Sequence, residues 1–135
     1  MKSLVVEDEF TSRAQLQHFL VEFGECDVAV NGDEALTAFQ RSREMGTPYD
    51  LVCLDIRLPG KDGKEILSEM RSMEDAAGVP QSRRARIFMT TALSDYSSIS
   101  KSFQNLCDEY LKKPILKDKL VELLNRYSLI ENKPN

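Results

Sequence analysis

Leu51-Val52-Cys53-Leu54 is an uninterrupted apolar run bounded by Asp50 and Asp55. A strand with one solvated face alternates apolar and polar residues. A run without alternation therefore points to a strand covered on both faces, the environment of a central parallel strand. Parallel strands need crossover helices, and the rest of the chain supplies candidates for them.

Before that run come Leu4-Val5-Val6 and Val28-Ala29-Val30, two further short strands. After it come Ile87-Phe88-Met89 and Tyr110-Leu111. Between them lie amphipathic stretches. Leu16, Phe19, Leu20 and Phe23 repeat as i, i+3, i+4, i+7, and Gly24 stops that helix. Asn31-Gly32 opens a second helix with Ala35, Leu36 and Phe39 inward, and Gly46 and Pro48 end it. Asp62 and Glu65 have capping-box spacing ahead of Ile66, Leu67, Met70 and Met73. Ser94 can cap a fourth helix with Tyr96, Ile99 and Phe103 facing in. Pro114 precedes a fifth, with Leu116, Leu120, Leu123, Leu124 and Tyr127 along one side. Five strands alternating with five helices predict a doubly wound α/β domain over residues 1–128, followed by a polar tail over 129–135. With 135 residues, this is one domain that can bury its apolar side chains without staples.

Composition removes several function classes. Eighteen Lys and Arg against 22 Asp and Glu give a net charge of −4, which argues against a general grip on nucleic acid. Cys26, Cys53 and Cys107 are odd in number and widely spaced, so neither a disulfide framework nor a thiolate zinc site is expected. Cys53 and Cys107 read as small buried hydrophobes. His18, the single histidine, falls on the outer side of the first helix and cannot build an imidazole metal site. No apolar run approaches the roughly 20 residues of a membrane span. Glu7 interrupts any signal-peptide pattern, so a cytoplasmic location is expected, with no membrane partner. Gly60-Lys61-Asp62-Gly63-Lys64 is followed by Glu65 and not by Ser or Thr, so it is not a P-loop.

In open parallel sheets, ligands sit beyond the carboxyl ends of the strands. Those ends carry Glu7-Asp8-Glu9 after the first strand and Asp55 after the third. Thr90-Thr91-Ala92 follow the fourth, and Lys112-Lys113-Pro114 the fifth. Strand alternation allows one of the two lysines to reach a shared pocket. Converging carboxylates repel one another, and a hard divalent cation with oxygen ligands relieves this. Asp55 then suits a nucleophile of aspartyl-phosphate chemistry, with Thr91 and a lysine on phosphoryl oxygens. Read separately, each piece has a plainer meaning. Asp55 can cap a turn, the acidic cluster can be a solvated helix start, Thr90 and Thr91 can be ordinary strand residues, and the lysines can be surface charges.

In order along the chain stand Glu7-Asp8, Asp55-x-x-x-Pro59-x-x-Asp62-Gly63, Thr91-Ala92 and Lys113-Pro114. By these pieces the chain resembles the receiver domain of bacterial two-component response regulators, in particular stand-alone chemotaxis-type receivers, from about Lys2 to Tyr127. The resemblance implies a flavodoxin-like sheet with strand order 2-1-3-4-5. It implies Asp55 as phospho-acceptor and a magnesium or manganese site of Glu7, Asp8, Asp55 and the backbone carbonyl of Arg57. Thr91 and Lys113 would contact the phosphoryl group, and Tyr110 would be the switch aromatic. The implied donor is a sensor histidine kinase or histidine phosphotransfer protein, docking near the first helix, where Arg13 and Gln17 read as exposed. The implied output is a protein target on the face of the fourth helix, fifth strand and fifth helix, which carries Ser97, Ser98, Lys101, Asn105, Lys119 and Glu122. The protein would be a phosphorelay switch that catalyses only its own phosphorylation and dephosphorylation, and not otherwise an enzyme.

There are departures. The acidic pair is Glu-Asp, so the longer Glu7 is expected to act through water. Asn105-Leu106-Cys107 stands where many receivers carry Gly-Ala, and the basic loop from Gly78 to Arg84, read with Arg86 as solvated, looks long. Arg57 puts a cation at the pocket rim. Two rivals stand beside this reading. One is a degenerate receiver acting as a constitutive binding module. The other is a magnesium-dependent phosphohydrolase, whose usual acid two positions after the nucleophile is here Arg57. The chain ends eight residues after Tyr127, so it is expected to be a stand-alone or an excised receiver.

Overall fold

The computed structural model describes residues 1–92 and 106–131. Five strands form one sheet: β1 (Ser3–Val6), β2 (Cys26–Ala29), β3 (Leu51–Asp55), β4 (Arg86–Thr91) and β5 (Glu109–Lys112). Their order is β2-β1-β3-β4-β5, and every pairing is parallel. Four α-helices lie among the described residues: α1 (Phe10–Leu20), α2 (Gly32–Glu44), α3 (Gly63–Ala76) and α4 (Lys117–Arg126). The helix predicted from Ser94, with Tyr96, Ile99 and Phe103, falls on residues 93–105 and lies outside the described residues, as do Ser97, Ser98, Lys101 and Asn105. The helix predicted after Pro114 is α4.

The two-residue period of the strands divides the core. Leu4, Val6, Val52, Leu54, Ile87 and Met89 pack with Ala35, Leu36 and Phe39 of α2 and Ile66, Leu67 and Met70 of α3. The intervening Val5, Leu51, Cys53, Phe88 and Leu111 pack with Leu16 and Leu20 of α1 and Leu120, Leu123 and Leu124 of α4. All four residues of the run 51–54 are buried, as its lack of alternation requires. Cys53 and Cys107 are buried, and all three cysteines are free.

Local chemistry shifts some boundaries from those the sequence suggests. β2 ends at Ala29 and not at Val30, because the start of α2 claims Val30. The Val30 N–H donates to Glu34 Oε1 at 3.0 Å, while Asn31 Oδ1 caps the helix by accepting from Glu34 N at 2.8 Å. α1 stops at Leu20 and tightens into a 3-10 turn over Val21–Phe23, leaving Phe23 half-buried. Leu116 caps α4 instead of packing inward and is 66% exposed. Leu129 and Ile130 pack on the cluster formed with α1 and α4, so packing runs past residue 128. Asp62 Oδ1 accepts from Glu65 N at 3.0 Å, the cap that the spacing predicts for α3.

The basic segment before β4 is not simply solvated. It contains a short 3-10 turn, Gln81–Arg83. Arg84 pairs with Asp75 at 2.6 Å and Arg86 with Asp108 at 3.1 Å. Arg71 ties the chain leading into β5 to α3. It donates to Leu106 O at 2.8 Å, to Asp108 Oδ2 at 3.1 Å and to buried Glu74 Oε1 at 2.7 Å. Glu74 also accepts from Ala85 N at 2.8 Å, which satisfies a charge that burial would otherwise penalise.

Gly63 shows how tightly α3 is set behind Asp55. Its N–H donates to Ile56 O at 2.7 Å, and a Cβ added there would lie 2.2 Å from Asp55 O and 2.7 Å from Ile56 Cα. These are backbone atoms, so relief requires the loop to move. Gly63→Ala is expected to destabilise the fold by about 1–3 kcal/mol in urea unfolding, the usual range for overpacking. A neutral or stabilising result contradicts this packing.

Candidate functional site

β1, β3, β4 and β5 end on one edge of the sheet and deliver their last residues to one place. β1 presents Glu7, anchored by its N–H to Ala29 O at 3.0 Å. β3 ends in Asp55 itself. β4 ends in Thr90 and Thr91, and Lys113 follows β5, fixed by its N–H to Thr91 O at 2.8 Å. Residues separated by more than 100 positions thus become neighbours: Lys113 Nζ donates to Glu7 Oε1 at 2.5 Å and to Asp55 Oδ2 at 2.9 Å. Lys112 is exposed, so alternation selects Lys113 as the pocket lysine.

Carboxylate oxygens of Glu7, Asp8 and Asp55 all lie within 4.8 Å of one another. No other such group of His, Cys, Asp or Glu occurs among the described residues. Glu7 and Asp55 are buried, while Asp8 is exposed. Glu7 is therefore not part of a solvated acidic helix start. Burial pushes the Glu7 carboxyl above its usual range, and the neighbouring Asp55 adds to this against the opposing pull of Lys113. For Lys113, burial works against the charged form, but the two carboxylates outweigh it and hold the ammonium above its usual range. One ammonium faces three carboxylates. The set is all oxygen, closely spaced and open to solvent through Asp8, which fits a hard divalent cation.

Each of the sequence-predicted residues can now be placed. Arg57 reaches the site through its backbone, its N–H donating to Asp55 Oδ1 at 3.1 Å, while its side chain is exposed. Thr91 is fully buried, and its hydroxyl donates to Ala92 O at 3.1 Å. A phosphoryl oxygen on Asp55 would therefore have to draw that hydroxyl away from a backbone partner. Tyr110 is half-buried against the core cluster formed with α2 and α3. Arg13 and Gln17 are not free surface residues. Arg13 Nη1 donates to Glu7 O at 3.0 Å and Asp8 O at 3.3 Å, and Gln17 Nε2 donates to Cys26 O at 3.3 Å. His18 is exposed, as its place on α1 predicts.

Two features were not legible in the sequence. Glu9 rather than a hydroxyl residue caps α1, accepting from Ser12 N at 2.7 Å. The Glu7 side chain turns back on its own loop, Oε2 accepting from Glu9 N at 3.1 Å. The acidic run Glu7-Asp8-Glu9 thus divides its labour among sheet edge, open site and helix cap.

Removing the ammonium would leave Glu7 and Asp55 facing each other without a counter-charge. Lys113→Met is expected to lower unfolding stability at neutral pH by about 1–3 kcal/mol, the cost of an unsatisfied buried group. The figure sits below that of a fully buried ion pair because the Lys113 side chain is 26% exposed. An unchanged denaturation midpoint would mean that the contacts do not matter energetically.

Comparison with known proteins agrees with this geometry. Residues 3–125 match the family described as "Response regulator receiver domain". The regulatory protein VanRB of Enterococcus faecalis is 35% identical over 131 residues, covering 93% of this chain and 53% of that protein. The transcriptional regulatory protein ResD of Bacillus subtilis is 32% identical over 114 residues, covering 84% of this chain and 42% of its own length. The chain thus spans about half the length of these relatives. Among solved structures, the response regulator protein TrrA of Thermotoga maritima, in complex with Mg(2+)-BeF, superposes with a TM-score of 0.71 at 35% identity, covering 93% of this chain and 97% of that one. The BeF3-activated DrrB receiver domain has a TM-score of 0.75 at 23% identity, over 95% and 97% of the two chains, and shares the fold. Among the described residues, no helix is long and apolar enough to cross a membrane.

Proposed function

We propose, from the premise that this chain belongs to the response regulator receiver domain family, that it takes a phosphoryl group onto Asp55 and relays the event to a protein partner. The observation that carries this reading is Lys113 Nζ held between Glu7 and Asp55, with Asp8 completing an open oxygen cluster. A solvated acidic helix start would not bury Glu7 against a lysine from the far end of the chain.

In this reading Glu7, Asp8, Asp55 and the carbonyl of Arg57 would hold a magnesium or manganese ion. When bound, the ion supplies positive charge to the attacking and phosphoryl oxygens. The chain's own residues do the rest. The Asp55 carboxylate attacks phosphorus in line and forms the new O–P bond. The N–P bond of a donor phosphohistidine breaks, and its electron pair stays on the imidazole. Lys113 is already within hydrogen-bond distance of Asp55 Oδ2 and can follow the charge onto a phosphoryl oxygen. Phosphoryl transfer asks mainly for such positioning and charge stabilisation.

The product adds a charge of about −1.5 to −2 and three acceptor oxygens at Asp55. Thr91 then exchanges its bond to Ala92 O for one of them. The adjoining strand end, with Tyr110 in β5, is where the change passes to the output face, which includes Lys119 and Glu122 on α4. Such a shift between two states is the usual form of a phosphorylation switch. The donor would be a sensor histidine kinase or histidine phosphotransfer protein. Its docking would use the open side of the pocket at Asp8, since Arg13 and Gln17 are committed within the fold. The protein would act only on its own phosphoryl group and would not turn over a separate substrate.

Incubation with magnesium and acetyl phosphate is expected to raise the intact mass by one phosphoryl group. The gain should vanish in Asp55→Asn and in the presence of a metal chelator. An unmodified mass with a donor that phosphorylates a control receiver would count against the proposal, and steady turnover of a phosphomonoester would favour the hydrolase instead.

A further inference from the structure

The acidic pair lies on a turn only two residues long between β1 and the cap of α1, and its side chains must converge despite mutual repulsion. Lys113 answers that repulsion from the side-chain direction. On the backbone side stands Arg13, one helical turn into α1. Its Nη1 donates to the carbonyls of both Glu7 and Asp8, at 3.0 and 3.3 Å. Its guanidinium carbon lies 5.5 Å from the centroid of the Phe10 ring, which borders it on the same helix. Arg13 is half-buried, although a long cation on the first turns of a helix is ordinarily free to solvate. The rest of the turn is held by Glu7 N on Ala29 O, by Glu9 N on Glu7 Oε2 and by Ser12 N on Glu9 Oε2. The two carbonyls that flank the Asp8 side chain are the groups that Arg13 takes.

We infer that Arg13 is a positioning residue for the divalent-cation site, setting the backbone of Glu7 and Asp8 so that their carboxylates face Asp55. Its hydrogen bonds go to the carbonyls and not to the site's carboxylate oxygens, so it acts through the peptide units that carry them. This inference rests on the phospho-receiver reading and deepens it.

The positioning role and a simple charge effect predict opposite signs. As a nearby cation, Arg13 repels a divalent ion, so its loss through charge alone would tighten binding. As a clamp, it holds the ligands in register, and loss of such a supporting contact typically costs metal affinity about 10-fold or more. A purely structural role would lower global stability and leave the affinity of the folded protein unchanged.

The test is calorimetric titration of the full chain with magnesium chloride, without any phosphodonor, for the wild type, Arg13→Gln and Arg13→Lys. Folding of each variant is checked by circular dichroism. Arg13→Gln is expected to weaken magnesium binding by about 10-fold. Arg13→Lys, whose ammonium keeps the charge and can donate to at least one carbonyl, is expected to recover part of the loss. Tighter or unchanged binding in folded Arg13→Gln would overturn the inference. The wild type separates the two levels: if it binds no magnesium, the receiver reading itself fails, whereas normal wild-type binding with unaffected variants removes only the role of Arg13.

Discussion

A lysine ammonium between two buried carboxylates is the contact around which this domain is arranged. Glu7 follows the first strand, Asp55 ends the third, and Lys113 follows the fifth. Burial disfavours the charge on Glu7 and on Lys113; the two carboxylates hold the ammonium, and Lys113 opposes the added repulsion that Asp55 imposes on Glu7. The order β2-β1-β3-β4-β5 brings those strand ends together, and the parallel pairing puts them all on one edge. The site is therefore a consequence of topology.

That dependence explains how much could be read beforehand. Apolar runs and helical spacing mark the strands and the buried place of Leu51–Leu54, whereas the strand order that brings Asp8, Asp55, Thr91 and Lys113 together is implied by the family resemblance. What sequence could not show is where side chains meet backbone. The Arg13 bonds to two carbonyls, the Thr91 bond to Ala92 O and the Arg71 bonds to Leu106 O and Ala85 O all end on acceptors that every residue possesses. No residue type marks such an acceptor. Boundaries shifted at helix starts: the Val30 N–H donates to Glu34 beyond the end of β2, and Leu116 stands at the N-cap of α4.

Opposite the candidate site, the Arg71–Glu74–Asp108 cluster fastens the start of β5 to α3. β5 is thus anchored by ion pairs at its beginning, while its far end, at Lys113, answers to the charge state of the pocket. A strand held at one end and electrostatically loaded at the other is well suited to report a change in that charge. Asp8 and the Arg57 side chain are exposed at the pocket rim.

The most direct measurement is a crystal structure of this protein with magnesium and beryllium fluoride, the combination present in the related TrrA complex. A metal-primed phosphoryl cradle should carry the fluoride on Asp55. The cation should sit among Glu7, Asp8 and Asp55, with Lys113 Nζ turned to a fluorine and the Thr91 hydroxyl released from Ala92 O. An adduct-free Asp55, with Lys113 still bridging the two carboxylates in the presence of both reagents, would contradict it.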